Sequence, residues 1–370
     1  MKIIFVIKAL GAQGGGAERV LSQVASGLAD RGHEVTVFTN DSPFAVPYYH
    51  INESVRVRQL GIGDTKTSAT ILDTLRRMRC YRAEIIAEQP DVVVAFMHST
   101  FVPVGISLLG SQIPVIASEH IGPEHYLNRP LQRLLLQLVP LLAKRITVVS
   151  TQIYQSFGSW LRSSMVVMPN PVVVQHVPLN KASLHNGCKI LLSVGRLAEQ
   201  KRQKILIDAF ARIAWRHPDW ILRIVGEGEL RGALERQITR YGLKDQIQIP
   251  GAVSAIDAEY DAADLFVLAS SYESFGLATA EALLHGLPAI GFADCPGTNE
   301  LISDGVNGRL VRGSCQVGSL ASVLDELMSN QVARQALANA SAEEFSDRFG
   351  LQGVLDCWEN LFTDVVGKPK

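Results

Sequence analysis

Short, unbroken runs rich in Ile and Val, each followed by a longer amphipathic window, recur along the whole chain, and nothing constrains its fold more. Strands that face solvent on one side alternate apolar and polar residues. Continuous apolar runs of strand length mark parallel strands buried on both faces, with helices in the crossovers. The pattern predicts strands over 3–7, 34–39, 55–60, 91–96, 114–118, 146–149 and 166–168, and it restarts over 190–194, 221–225, 246–249, 265–269 and 289–292. Between the halves lies MPNPVVVQHVPLNKASLHNG, where Pro169, Pro171 and Pro178 stop any helix from continuing. After Asp304, GVNGRLV reads as a Gly-rich turn and a short strand, and helical windows follow from Val317. The expectation is an α/β chain of two doubly wound domains: 1–172, a linker over 173–187, and 188–350, with a terminal helix at about 351–370 that the sequence leaves able to pack on either domain, a return to the first included. Domains of ~150 residues fit a 370-residue chain twice. Such domains hold ligands at the carboxyl ends of their strands, which predicts a cleft where the two face each other.

With 47% hydrophobic and 19% charged residues the chain has ample material for packed interiors, and aromatics at 7% make those interiors aliphatic. Five cysteines, odd in number and never spaced C-x-x-C, argue against a disulfide framework or a zinc site and for a reducing cytosol. The opening MKIIFVIK is too short in its apolar run for a signal peptide, and the apolar window 131–143 is interrupted by Gln132, Arg133, Gln137 and Pro140, short of the ~18–20 residues of a membrane span. A net charge of −1 offers no case for a nucleic-acid partner. That neutrality is a cancellation: residues 1–187 carry 17 Lys/Arg against 12 Asp/Glu, and the remainder 18 against 24. From His125 to Gln200 the only acid is Glu199, while Arg129, Arg133, Lys144, Arg145 and Arg162 are all basic. Arg76, Arg77, Arg79 and Arg82 crowd one helical window. A basic, apolar first half suits an anionic membrane surface or a phosphate-bearing ligand.

Three stretches carry candidate chemistry. The first, Gly11 to Arg19 (GAQGGGAER), follows a strand and opens a helix, so Gly14, Gly15 and Gly16 let backbone amides approach an anion. Its spacing is not G-x-G-x-x-G, and the nearest acid to the end of the second strand is Asp41, which weakens a nicotinamide-dinucleotide reading. The second, GRLAEQK after the strand at 190–194, places Arg196 and Lys201 at the mouth of the sheet, where two cations can neutralise a departing diphosphate. The third, SYESFGLATAE, sets Glu273 and Glu281 eight positions apart around a helix start, with the amides of Phe275, Gly276 and Leu277 beside Ser274 at its N-terminus. Carboxylates beside a phosphate site suit acceptance of hydrogen bonds from sugar hydroxyls. His120, at the end of the fifth strand, and His98, past the fourth, are further candidates; either position also suits a purely structural histidine.

Taken with Ser118-Glu119-His120, Pro169-Asn170-Pro171-Val172, Val225-Gly226-Glu227-Gly228-Glu229-Leu230 and Gly305-Val306-Asn307-Gly308, these motifs give a chain that resembles, over essentially its full length, the retaining family-four glycosyltransferases of the GT-B fold. The resemblance implies two Rossmann-like domains facing across a cleft, and transfer of a sugar from a nucleoside diphosphate donor, of the UDP class, with retention at the anomeric carbon. It implies that Arg196 and Lys201 bind the diphosphate, Glu281 the ribose hydroxyls and Glu273 the donor sugar. Ser274 and the amides at 275–277 would meet the phosphates, Gly251 and Val253 the base, His120 the sugar at the reacting centre, and Gly14 to Gly16 the ligand cleft. No cofactor or metal is expected, since no D-x-D occurs in the chain. Cys295-Pro296-Gly297-Thr298 departs from the more Gly-rich loop of many relatives. The S-E-H form is similar to that of members building bacterial lipid-linked oligosaccharides, O-antigens or capsules. This implies a lipid-linked glycan acceptor and a peripheral place on the inner face of the cytoplasmic membrane. A nucleotide-sugar epimerase, a non-catalytic sugar-nucleotide binder and a NAD-dependent oxidoreductase are the alternatives.

Overall fold

The computed structural model describes residues 1–11, 15–63, 70–174, 187–313, 317–339 and 342–367. Gly14 and most of the expected linker, 175–186, lie outside the described residues. The chain divides into two compact units, one of Met1–Pro171 with Leu351–Lys370, the other of Val172–Gly350.

In the first unit β1 (Lys2–Ile7), β2 (Glu34–Thr39), β3 (Arg56–Gln59), β4 (Val92–Phe96), β5 (Val115–Glu119), β6 (Arg145–Val148) and β7 (Met165–Val167) form one parallel sheet, ordered β3-β2-β1-β4-β5-β6-β7. In the second, β8 (Lys189–Val194), β9 (Trp220–Val225), β10 (Ile247–Gly251), β11 (Leu265–Leu268), β12 (Ala289–Phe292) and β13 (Gly308–Val311) are ordered β10-β9-β8-β11-β12-β13, again all parallel. Every residue of β4, β5, β11 and β12 is buried, because helices cover both faces of each sheet. The strand order reverses between β1 and β4 and again between β8 and β11. At such a switch point adjacent loops diverge to opposite faces and leave a crevice at the carboxyl edge.

The Leu351–Val366 helix belongs to the first unit, although 179 residues of the second precede it in the chain. It buries Val354, Leu355, Trp358 and Phe362, with the Trp358 ring set edge-on to Phe5 of β1 at 6.4 Å. It lies so close to the Gly16–Asp30 helix that a Cβ on Gly27 would fall 2.6 Å from Leu355 Cδ1, so any larger residue there would require the Leu355 side chain to shift. Arg31 clamps its outer face, donating to Asp356 and Glu359 at 2.6 Å, and the His33 Nε2 sits 2.8 Å from Glu359.

The arginine-rich window is the Ile71–Glu88 helix, but its four arginines do not form one basic face. Arg77 is buried and its Nε–H donates to the Ile62 carbonyl at 3.1 Å. Arg82 donates to the carbonyls of Ser107 and Leu109. Among the described residues, exposed Arg76 and Arg79 make no such backbone bond. Guanidinium groups with fixed backbone acceptors hold loops in place; the local sequence carries no mark of those acceptors.

Candidate active site

In the second unit the crevice at the β8/β11 switch point is formed by the two loops that carry the candidate charges. Gly195 ends β8's run, Arg196 follows it exposed, and the chain makes a tight turn at Glu199–Lys201. Across the crevice, the loop after β11 lays its backbone against that turn: Ser271 N donates to the Gln200 carbonyl at 2.9 Å, and Gln200 Nε2 donates to the Tyr272 carbonyl at 2.7 Å. This brings Lys201 Nζ to 2.5 Å from Glu273 Oε1, with their side chains 19% and 12% exposed. A pair withdrawn this far from water is held by mutual attraction, and one partner alone there would be poorly solvated.

The β11 loop then enters the Leu277–Leu284 helix with Gly276 as its N-cap residue, so the first amides of that helix open toward the crevice. Phe275 is buried, its ring edge-on to Phe349 at 5.5 Å, and so its aromatic side chain anchors the loop while its amide remains the group on offer. Ser274 and Leu277 are half-buried beside it. One turn further in, Glu281 is buried, and the Tyr260 hydroxyl donates to its Oε2 at 2.8 Å. Tyr260 in turn stacks on His285 at 5.1 Å, and the His285 ring nitrogens lie 2.7 Å and 3.0 Å from Asp261 and Asp257. Sequence reasoning missed Tyr260; it lies 21 positions away on a different helix.

Gly251 closes β10, and its carbonyl accepts from Gly226 N at 2.9 Å, while half-buried Val253 follows. Gly226 is itself forced: at φ +145° a Cβ would lie 2.1 Å from the Gly195 carbonyl oxygen. The ends of β8, β9 and β10 are thereby drawn into one glycine-lined edge that carries Arg196. The Cys295–Thr298 loop backs Glu273, whose amide donates to the Pro296 carbonyl at 3.1 Å. Thr298 is fully buried, which makes this loop a support for Glu273.

In the first unit Gly15 is the N-cap of the Gly16–Asp30 helix. Asp41, the one acid near the end of β2, is buried and accepts from Leu10 N at 2.6 Å and Gly11 N at 3.3 Å. It holds the glycine loop and leaves no carboxylate there for the ribose of a dinucleotide. His120 leaves β5 with its ring stacked on Phe96 at 5.0 Å, and burial pushes its imidazole down to about 4, so it is neutral at physiological pH. The neighbouring Glu119, fully buried, is pushed up to about 7 by desolvation, and it accepts from the amides of His120 and Ile121 and from the Tyr126 hydroxyl. His98 opens the His98–Ser107 helix with its Nε2 3.0 Å from the Gln132 carbonyl, a structural bond at the helix entry.

On the same unit Leu131, Leu134 and Leu141 are 61 to 68% exposed along the Pro130–Gln137 and Val139–Leu142 helices, Leu138 between the helices is 43% exposed, and Leu127 ahead of them is 67% exposed. Their three- and four-residue spacing puts 131, 134, 138 and 141 on one helical stripe. Exposed Arg129, Arg133 and Lys144 border it. Arg145 is partly engaged by Asp364 at 2.8 Å. Among the described residues, no helix is long and apolar enough to cross a membrane.

Two doubly wound parallel sheets, the second with its charged groups gathered at the switch point, match the fold of the GT-B glycosyltransferases. The family model for glycosyl transferases group 1 matches residues 179–344, and that for glycosyltransferase family 4 matches 14–176. The chain belongs to this family of glycosyltransferases. It is 24% identical to a glycosyltransferase of Haemophilus influenzae, over 97% of this chain and 99% of the relative. It is also 24% identical, over 99% of each chain, to a Campylobacter jejuni α-1,4-N-acetyl-D-galactosaminyltransferase whose name gives a diphospho-undecaprenol-linked glycan as its acceptor. Among solved structures, Anabaena HepE in complex with UDP superposes with a TM-score of 0.79 at 22% identity, over 98% of this chain and all of that one.

Proposed function

We propose that this glycosyltransferase moves a sugar from a UDP-sugar to a hydroxyl of a lipid-linked glycan, with retention at the anomeric carbon, in assembly of a bacterial surface polysaccharide. The Lys201–Glu273 pair at the switch point, with Arg196 exposed beside it, is the observation that carries this reading. As the bond between C1 and the diphosphate oxygen breaks, negative charge grows on the leaving group. Arg196, Lys201 and the helix-opening amides after Gly276 neutralise it, a task that then needs no metal ion. Glu273 accepts from hydroxyls of the donor sugar and Glu281 from the ribose; Gly251 and Val253 line the base. The acceptor hydroxyl forms its bond to C1 on the face from which the diphosphate leaves, and its proton passes to a phosphate oxygen. His120, neutral and half-buried, contacts the sugar and takes no part as a base. HepE's complex with UDP supports the donor class, and the Campylobacter relative's name supports the acceptor class.

The donor reading has a direct test. Glu281→Gln keeps the shape of the buried side chain and removes its charge. Hydrogen bonds to a charged group are worth ~1.5–3 kcal/mol, so UDP affinity by calorimetry is expected to fall about 10- to 100-fold. Unchanged affinity would remove Glu281 from the donor site.

The leucine stripe at 131–141 with its bordering Arg129, Arg133 and Lys144 is the surface we assign to an anionic bilayer on the cytoplasmic side. Replacing Leu131, Leu134 and Leu141 together by Gln is expected to abolish co-sedimentation with phosphatidylglycerol vesicles at low salt while leaving UDP binding intact. Equal sedimentation of the variant and the parent would rule this surface out.

A further inference from the structure

We propose that the hydroxyls of Thr147 and Ser118 form a positioning relay that holds His120 as its Nδ1–H tautomer, so that the imidazole meets the donor sugar only as a hydrogen-bond donor. The inference rests on the reading above, in which His120 contacts that sugar.

The relay follows from strand geometry. Ser118 and Thr147 are direct partners in the β5/β6 register, and His120 follows the last residue of β5, two positions beyond Ser118, which returns its side chain to the face that Ser118 and Thr147 share. Thr147 Oγ1 lies 2.9 Å from Ser118 Oγ, which lies 3.1 Å from His120 Nε2. Both residues are 2% exposed, so their hydroxyl protons must be placed within the protein. Two directions are open. If Thr147 donates to Ser118 and Ser118 donates to Nε2, each hydroxyl proton has an acceptor. If Nε2–H donates to Ser118 and Ser118 to Thr147, the Thr147 proton is left without an acceptor among the described residues. The first direction gives both hydroxyl protons an acceptor, and it puts the imidazole proton on Nδ1. Nδ1 forms no hydrogen bond among the described residues, which leaves that N–H for a ligand. Phe96, stacked at an interplanar angle of 23°, and the Glu119 carboxylate on the His120 amide fix the ring's plane and its root.

The test is 15N NMR of the full chain labelled at histidine, with the His120 signals among the nine histidines assigned by their loss in His120→Gln. The parent is expected to show protonated Nδ1 and unprotonated Nε2. Thr147→Val, which keeps the shape and loses the hydroxyl, and Ser118→Ala should both shift His120 toward a mixture of tautomers; Thr147→Ser should retain the parent pattern. In parallel, UDP release from the faster hydrolysed of UDP-glucose and UDP-N-acetylglucosamine is expected to fall about tenfold in kcat for Thr147→Val and Ser118→Ala, with Thr147→Ser within twofold of the parent. A parent carrying its proton on Nε2, or a tautomer unmoved by Thr147→Val, would overturn the relay. A tautomer that shifts while turnover stays constant would uphold the relay and remove His120 from the donor sugar.

Discussion

Lys201→Ala is expected to reduce sugar transfer by about two to three orders of magnitude and to destabilise the second unit at the same time. The first effect follows from removing a fixed charge where the diphosphate leaves, a type of loss that costs roughly 2.7–4 kcal/mol of transition-state stabilisation. The second follows from the pairing: Glu273 sits 2.5 Å from Lys201 Nζ with its side chain 12% exposed, and it would be left as a carboxylate short of both water and a partner. Breaking a buried pair from one side costs ~3–5 kcal/mol, and the partial exposure here places the expected loss at the low end. The two effects separate in the double variant Lys201→Met, Glu273→Gln, in which neither side chain carries a charge. Its urea midpoint should recover toward that of the parent while its turnover stays low. Transfer by Lys201→Ala within threefold of the parent, followed by nucleoside diphosphate release, would take the lysine out of the reaction.

Trp358→Ala should lower the stability of the first unit by ~3–5 kcal/mol, the range for truncating a large buried aromatic. Trp358 is 1% exposed, packed on Phe5 in the middle of the sheet and on Phe362 at 5.7 Å. Its Nε1–H is buried without a partner among the described residues, so Trp358→Phe loses area but also removes an unsatisfied donor, and it should be markedly milder than alanine. Hydrogen exchange at the amides of β1 reads this unit separately from the other. Protection there unchanged in Trp358→Ala would show that the C-terminal helix contributes little to the first unit's core.

All the strands were legible because burial on both faces writes itself into each segment locally, and the structure moves their ends by only a residue or two. Lys201, Glu273 and Glu281 were legible as charges at the ends of strands and starts of helices, where parallel sheets gather ligands. The supports of the site were not. Tyr260 beneath Glu281, Thr147 behind Ser118 and the Cys295–Thr298 loop behind Glu273 are linked to their partners only across the fold, and each reads locally as an ordinary strand, helix or turn residue. The arginine window misled for the same reason in reverse: four like charges in one helical window suggested a basic surface, and the carbonyls that take up Arg77 and Arg82 belong to segments elsewhere in the fold.

By itself, then, the sequence determined the order and type of the elements, the restart of the βα pattern in the second half and the residues that end up at the carboxyl edges. These depend on the period of hydrophobicity and on the backbone freedom of particular residues, both set within a few positions of chain. Only the tertiary structure decided that the last helix returns to the first unit, held by Arg31, His33 and the Gly27–Leu355 approach across more than three hundred residues. It also decided that the Thr147 and Ser118 hydroxyls line up behind His120. Periodicity says that a helix has an apolar face; which surface covers it depends on complementary shape and charge that meet only once the chain has folded.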